Sequence, residues 1–295
     1  MIRTILVHLA GTKADDAVLR QAMALARPFA AHLECIHVRP STGQIVSIAA
    51  TGGVGLDMTT NVGEIANVLE GATTERAATA RIHFDRLCKD EAIPLADTAP
   101  SSDAKATASA AFREIKGEEV AALTEALRGN DFGILAGGGT EGAIATANVA
   151  QLLVAGGRPL VLTPSAGIPG NSGTIAIAWK NSPEAARAVA AAMPLLVKAR
   201  KIVILGAGEA DEEAGPDSTR ALLSYLAWHG VRAETRDLIS GGRAASEAVL
   251  EAVQQERADL LVMGAYGRGR LSESLFGGFT QDVLSRAGLP VFLFH

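Results

Sequence analysis

Gly264, Gly267 and Gly277 have the clearest chemical spacing in the chain, with two residues between the first pair and nine between the second. They lie in Met263-Gly264-Ala265-Tyr266-Gly267-Arg268-Gly269-Arg270, which continues through Phe276-Gly277-Gly278-Phe279-Thr280. An apolar run, Asp259-Leu260-Leu261-Val262-Met263, precedes them, and a predicted helix from Thr280 to Ala287 follows. Glycine lets backbone approach a ligand closely and turn its amides toward it. The start of a following helix adds free amides and the positive end of its dipole. This is chemistry for a polyphosphate lying between Gly264 and Gly267 on one side and Gly277 and Gly278 on the other. Arg268 or Arg270 then serves as a counter-charge, or both belong to a solvated loop.

Such a loop needs a strand to carry it, and the strand pattern occurs twice. Thr4 to Leu9 is an apolar run, followed by Gly11-Thr12, an alanine-rich predicted helix and a second run from His32 to Val38. Thr174 to Trp179 repeats this, followed by Lys180-Asn181-Ser182-Pro183, another alanine-rich helix, and Lys201 to Leu205 ending at Gly206. Ser182 is a helix cap, and Pro183 suits the first helical position. Asp131-Phe132-Gly133-Ile134-Leu135-Ala136 leads into glycines, a helix and Pro159-Leu160-Val161-Leu162; Asp259 to Met263 leads likewise to Pro290-Val291-Phe292-Leu293-Phe294. Short apolar strands alternating with helices predict parallel sheets covered on both faces, the doubly wound α/β class. The chain of 295 residues therefore divides into two domains, 1–167 and 172–295, of five strands each. The boundary is the Gly-, Pro- and Ser-rich run from Thr163 to Gly173. The excess length of the first domain lies around Pro40 to Gly63 and in a helix from Glu64 to Glu91.

The glycine spacing after a fourth strand, followed by a helix and a final strand of the form Pro-Val-Phe-Leu-Phe, resembles the universal stress protein family. The resemblance covers the chain as two copies and is specific in the second. It implies an adenine nucleotide alpha hydrolase-like fold and a stress-response protein that binds ATP, or AMP or ADP, with magnesium as a companion ion. It places the nucleotide on Trp179, Lys180, Leu205, Gly206, Met263, Gly264, Gly267, Arg268, Gly269, Gly277, Gly278, Phe279 and Thr280. It also implies association through final strands: a homodimer, or an internal pseudo-dimer between Leu160 to Thr163 and Val291 to Phe294.

The sequence departs from the family's nucleotide-binding branch at three places. Gly278 stands where a phosphate-binding Ser or Thr is usual, with Thr280 two residues on. The acid expected at the end of the first strand is replaced by Ala10 in the first domain and Lys180 in the second. These departures keep two other functions open: a nucleotide-free dimerising interaction protein, and a slow ATPase. In the first domain, Gly137-x-Gly139-x-x-Gly142 matches a dinucleotide fingerprint in form only. It follows the fourth strand and lacks the acidic partner about 20 residues on, so it reads as a tight turn.

Other chemistry is excluded or weak. There is no G-x4-G-K-[ST] and no G-x-S-x-G, which disfavours a P-loop NTPase and an α/β-hydrolase. His8, His32, Cys35 and His37 lack metal-ligand spacing and read as ordinary strand packing. Glu118-Glu119 and Asp211-Glu212-Glu213 read as charges at helix starts. A net charge of −5 with 4% aromatics is a poor match to nucleic acid. No apolar stretch is long enough to span a membrane. Two unpaired-looking cysteines, Cys35 and Cys88, fit the cytoplasm.

Overall fold

The computed structural model describes residues 1–52, 62–99, 107–164, 173–206, 216–238, 242–265 and 277–295. The first half contains strands β1 (Thr4–His8), β2 (His32–Arg39), β3 (Ser109–Lys116), β4 (Phe132–Ala136) and β5 (Leu160–Thr163). Its helices are α1 (Asp15–Ala26), α2 (Thr42–Gly52), α3 (Val62–Asp90), α4 (Glu119–Arg128) and α5 (Thr146–Gly156). The second half contains β6 (Thr174–Trp179), β7 (Lys201–Gly206), β8 (Glu234–Asp237), β9 (Leu260–Gly264) and β10 (Val291–Phe294). Its helices are α6 (Pro183–Lys198), α7 (Pro216–Trp228), α8 (Ala245–Gln255) and α9 (Gly278–Arg286).

All the strands join one sheet, in the order β3-β2-β1-β4-β5-β10-β9-β6-β7-β8. Each half is parallel within itself and has the reversal of strand order that marks a doubly wound sheet. The halves meet where β5 and β10 pair antiparallel, in the register Val291 with Leu162 and Phe292 with Val161. Alternation along the strands divides the core into two layers. Ile5, Val7, Ile175 and Ile177 pack with α1, α3, α6 and α7. Leu6, Leu135, Ala176 and Leu261 pack with α4, α5, α8 and α9. Both layers run across the seam, where Phe132 and Phe292 meet edge to face with centroids 6.0 Å apart.

Local chemistry explains the helix starts. Ser182 is extended and its Oγ accepts from the Ala185 amide at 3.2 Å, with Pro183 at the first turn, as the sequence predicts. Glu118 caps α4 by accepting from the amides of Val120 and Ala121. The region around Pro40 to Gly63 holds a helix, α2, that composition alone does not announce. Its start is a reciprocal cap: the Ser41 amide donates to Gln44 Oε1 at 2.8 Å, and the Gln44 amide donates to Ser41 Oγ at 3.4 Å. The two halves also repeat an anchoring contact. Asp131 accepts from the amides of Arg3 and Thr4 at the start of β1, and Asp259 accepts from that of Thr174 at the start of β6. At the outer strands, Arg113 pairs with Glu34 and Arg39 with Glu114, charges that discourage further strand addition.

Phe292 is 1% exposed and lies on the strand that joins the halves. Phe292→Ala is expected to lower unfolding free energy by about 3–5 kcal/mol, the usual cost of emptying a large aromatic site. Urea denaturation followed by circular dichroism measures this, and a loss below about 1 kcal/mol would contradict the packing described.

Candidate functional site

In an open α/β sheet, ligands bind beyond the carboxyl ends of strands, at the point where strand order reverses. In the second half that point lies between β6 and β9, with β7 on the far side of β6. Trp179 is paired with Gly206, and Ala178 with Met263, so the ends of β6, β7 and β9 lie side by side. Lys180 follows β6 and is exposed. Leu205 and Met263 are buried in the core layer beneath α8 and α9, so their backbones rather than their side chains reach this edge. Trp179 is also buried, on the α6 side, and its indole Nε1 has no hydrogen-bond partner among the described residues.

The glycines divide by what surrounds them. A Cβ on Gly264 would lie 2.5 Å from the Ala185 amide nitrogen and 2.7 Å from the Glu184 carbonyl carbon. The end of β9 is therefore pressed against the first turn of α6, which excludes any larger residue. Among the described residues, nothing lies within 4 Å of where a side chain would begin at Gly206, Gly277 or Gly278. Gly277 and Gly278 are exposed, Phe279 is half-buried and Thr280 is buried. Gly277 is the residue before α9, with φ −62° and ψ 150°, and no side chain caps the helix. The Gln281 amide donates to Gly277 O, which leaves the amides of Gly278, Phe279 and Thr280 ahead of the helical ladder. No acidic residue lies in this first turn. Gly267, Arg268 and Gly269 lie outside the described residues, as do Arg270, Glu273 and the acidic run Asp211 to Glu213.

In the first half the turns at the matching crevice pack against one another. Gly142 has φ +80°, and a Cβ there would lie 2.6 Å from Ala10 Cβ and 3.0 Å from Thr12. Thr12 Oγ1 donates to Glu141 O at 3.0 Å, fastening the turn after β4 to the turn after β1. Gly11, at φ +72°, lies beneath α3, where a Cβ would meet the Arg76 carbonyl oxygen at 2.2 Å. The glycine cluster from Gly137 to Gly142 is thus a packed turn, as its sequence predicts.

Beyond these strand ends is a cavity of about 420 Å³, lined by Ala10, His37, Arg76, Gly117, Glu119 and Gly142 among others. Buried His8 brings Nε2 within 3.3 Å of Glu119 Oε1. That contact holds the Glu119 carboxyl below its ordinary range. His37 Nδ1 donates to Leu9 O at 2.7 Å, and burial pushes its imidazole below the usual value. Asp15 accepts from the amides of Ala10 and Gly11, yet burial raises its carboxyl. Reading His8 as ordinary packing therefore misses its partner, Glu119, which sequence alone presents only as a charge near a helix start. No group of three metal-ligating side chains occurs among the described residues.

The universal stress protein family matches residues 172–295, which contain this open strand edge and the glycine spacing. The C-terminal half belongs to the universal stress protein family. Full-length similarity extends the fold to both halves of the chain. A universal stress protein from Archaeoglobus fulgidus DSM 4304 superposes with a TM-score of 0.62 at 12% identity, covering 99% of this chain and 97% of its own. A functionally unknown protein from Pseudomonas aeruginosa PAO1 gives a TM-score of 0.55 at 15% identity, covering 99% of this chain and 92% of its own. No curated protein matches the sequence. The universal stress fold therefore occurs in tandem. No helix among the described residues is long and apolar enough to cross a membrane.

Buried His37 and half-buried His32 both hold their pKa below the ordinary imidazole value, in each case through loss of solvent. The unfolded chain then binds more protons below about pH 6.5, and stability falls as pH drops through that region. Asp15, raised by burial, opposes this as pH falls through its own value. The urea midpoint is expected to be lower at pH 5.5 than at 7.5, with a smaller fall in His37→Gln. An equal fall in both proteins would show that His37 is not a source of the acid sensitivity.

Proposed function

We propose that the C-terminal half binds ATP or another adenine nucleotide at the carboxyl ends of β6, β7 and β9, and that the protein is a nucleotide-responsive regulator in the cytoplasmic stress response. One observation carries this reading. Helix α9 begins at Gly277 and Gly278 with leading amides, no acidic first-turn residue and, among the described residues, no neighbour against either glycine. That arrangement fits an anion. The glycine spacing before it supplies the second wall, with Gly267, Arg268 and Gly269 as proposed phosphate contacts. Gly206 leaves room beside β7 for a base, and Trp179 and Lys180 border it at β6. Leu205, Met263 and Phe279 shape the floor, and Thr280 lies at the inner end of the α9 turn. Lys180 offers a phosphate a positive charge but gives a ribose hydroxyl no acceptor.

Magnesium would enter as the nucleotide's own companion, since no group of three metal-ligating side chains occurs among the described residues. The nearby Asp282 is engaged by Ser246 and Arg286, which together hold its carboxyl below the ordinary range. The same engagement removes it as a free general base, so slow ATP hydrolysis is the weaker reading. A nucleotide-free interaction protein is the second reading, favoured by the missing hydroxyl at Gly278 and the missing acid at Lys180. Two chains associating as a homodimer would suit either reading.

Gly277→Val separates these readings. The position has an L-compatible backbone and no described neighbour where a side chain would begin, so the variant is expected to keep the melting temperature within a few degrees while blocking the approach to the α9 amides. Isothermal titration with ATP and AMP should show binding to the parent chain and at least about tenfold weaker binding to the variant, or about 1.4 kcal/mol. Equal affinity would move the site elsewhere. No heat from the parent chain, with no nucleotide released on heating, would favour the nucleotide-free protein.

A further inference from the structure

The cavity of about 420 Å³ in the first half has several polar side chains in its wall, and local bonds already occupy most of them. Both carboxylate oxygens of Glu118 accept from amides at the start of α4. Gln44 Oε1 accepts from the Ser41 amide, and the Thr73 hydroxyl donates to the Glu70 carbonyl. Three lining side chains keep unused capacity among the described residues: His37, Glu119 and Arg76. The volume falls within the range of roughly 300–1,000 Å³ usual for small-molecule pockets.

His37 is 4% exposed, and its Nδ1 faces the Leu9 carbonyl, so that nitrogen carries the ring proton. Burial keeps the imidazole neutral near pH 7, which leaves Nε2 a bare acceptor. Nε2 has no partner among the described residues and is not one of the atoms sealed in the interior; the ring lines the cavity. Glu119 is 45% exposed, with one oxygen toward His8 and the other unengaged among the described residues. Arg76 is exposed on α3, and its positive charge helps hold the Glu119 carboxyl down, yet the two form no ion pair. A cation and an anion that face one cavity without pairing both keep hydrogen-bonding capacity for an occupant.

Phosphate does not suit this wall. Glu118 takes the Val120 and Ala121 amides that would otherwise meet an anion, and Glu119 adds a second carboxylate. The matching ligand has a cationic donor at one end, an anionic acceptor beside it, and an apolar remainder against Val38, Pro40 and Ala143. We propose that this cavity binds an aliphatic α-amino acid, its ammonium group donating to His37 Nε2 and Glu119 and its carboxylate held by Arg76. The planar guanidinium fork suits a carboxylate in particular. The site lies in the opposite half from the proposed nucleotide site and stands independently of it.

Leucine, 3-methylbutylamine and 4-methylpentanoate test this on the full chain, since they share one branched tail and differ only in their charged groups. Isothermal titration at neutral pH should show leucine at one site per chain and each analogue at least about tenfold weaker. In Arg76→Gln, leucine should lose its advantage over 3-methylbutylamine. In Glu119→Gln, it should lose its advantage over 4-methylpentanoate. Saturating ATP should leave leucine in place. The proposal is overturned if leucine does not bind the parent chain, if either analogue binds as tightly, or if Arg76→Gln keeps the full preference for leucine over the amine. Displacement of leucine by ATP would also overturn it, by making the cavity a nucleotide site. Should Glu119→Gln fail to fold, the parent's preferences and the Arg76→Gln result decide the matter, because Arg76 is exposed and its side chain supports no packing contact described here.

Discussion

The antiparallel pairing of β5 with β10 is the constraint on which the rest of the architecture rests. Each half alone would expose a short, mostly apolar final strand with unpaired backbone groups along one edge. Joined, they give a single sheet with two helical layers that continue from one half to the other. Phe292 and Phe132 then pack from opposite sides of the junction. The same junction brings α1 near α6, where Gln21 and Leu195 line one cavity.

Within this shared frame the halves use the same position differently. In the first, α3 lies over Gly11 and the turn at Gly142 is locked to Ala10 and Thr12. In the second, the equivalent turn after β6 carries exposed Lys180, and no described residue packs against Gly277 or Gly278 at the start of α9. The long α3 helix adds to the contrast, since its backbone at Arg76 lies over Gly11 and its Thr73 and Arg76 line the cavity at that crevice. The polar group formed by His8, His37 and Glu119 lies beside those contacts, where burial shifts the pKa of His37 and hydrogen bonding shifts that of Glu119.

Much of the architecture was legible because its signals are local. Apolar runs, glycines at strand ends, and Ser182 before Pro183 announce strands, turns and a helix start from a few neighbouring residues. The tandem order followed from seeing them twice. The pairing of the final strands was one of two arrangements the edges allowed, because apolar edges do not name their partner. The α2 helix escaped notice although Ser41 and Gln44 carry the reciprocal cap, since the Gly- and Thr-rich surroundings point the other way. The contacts of Glu119 with His8, and of Gly11 with Arg76, join residues far apart in the chain. No local pattern encodes them. The glycine spacing itself was plain in the sequence, and the described residues add the packed setting of Gly264 and the open one of Gly277.

Fusion of the halves changes what the seam demands of the chain. Two separate copies would find each other only at sufficient concentration, whereas a covalent link holds β5 and β10 at a high local concentration whatever the dilution. Identical subunits must also accept every substitution twice, once on each side of their symmetry axis. Here each edge has its own gene-encoded counterpart. A helix can be inserted over one crevice without altering the other, and duplication becomes a route to asymmetry.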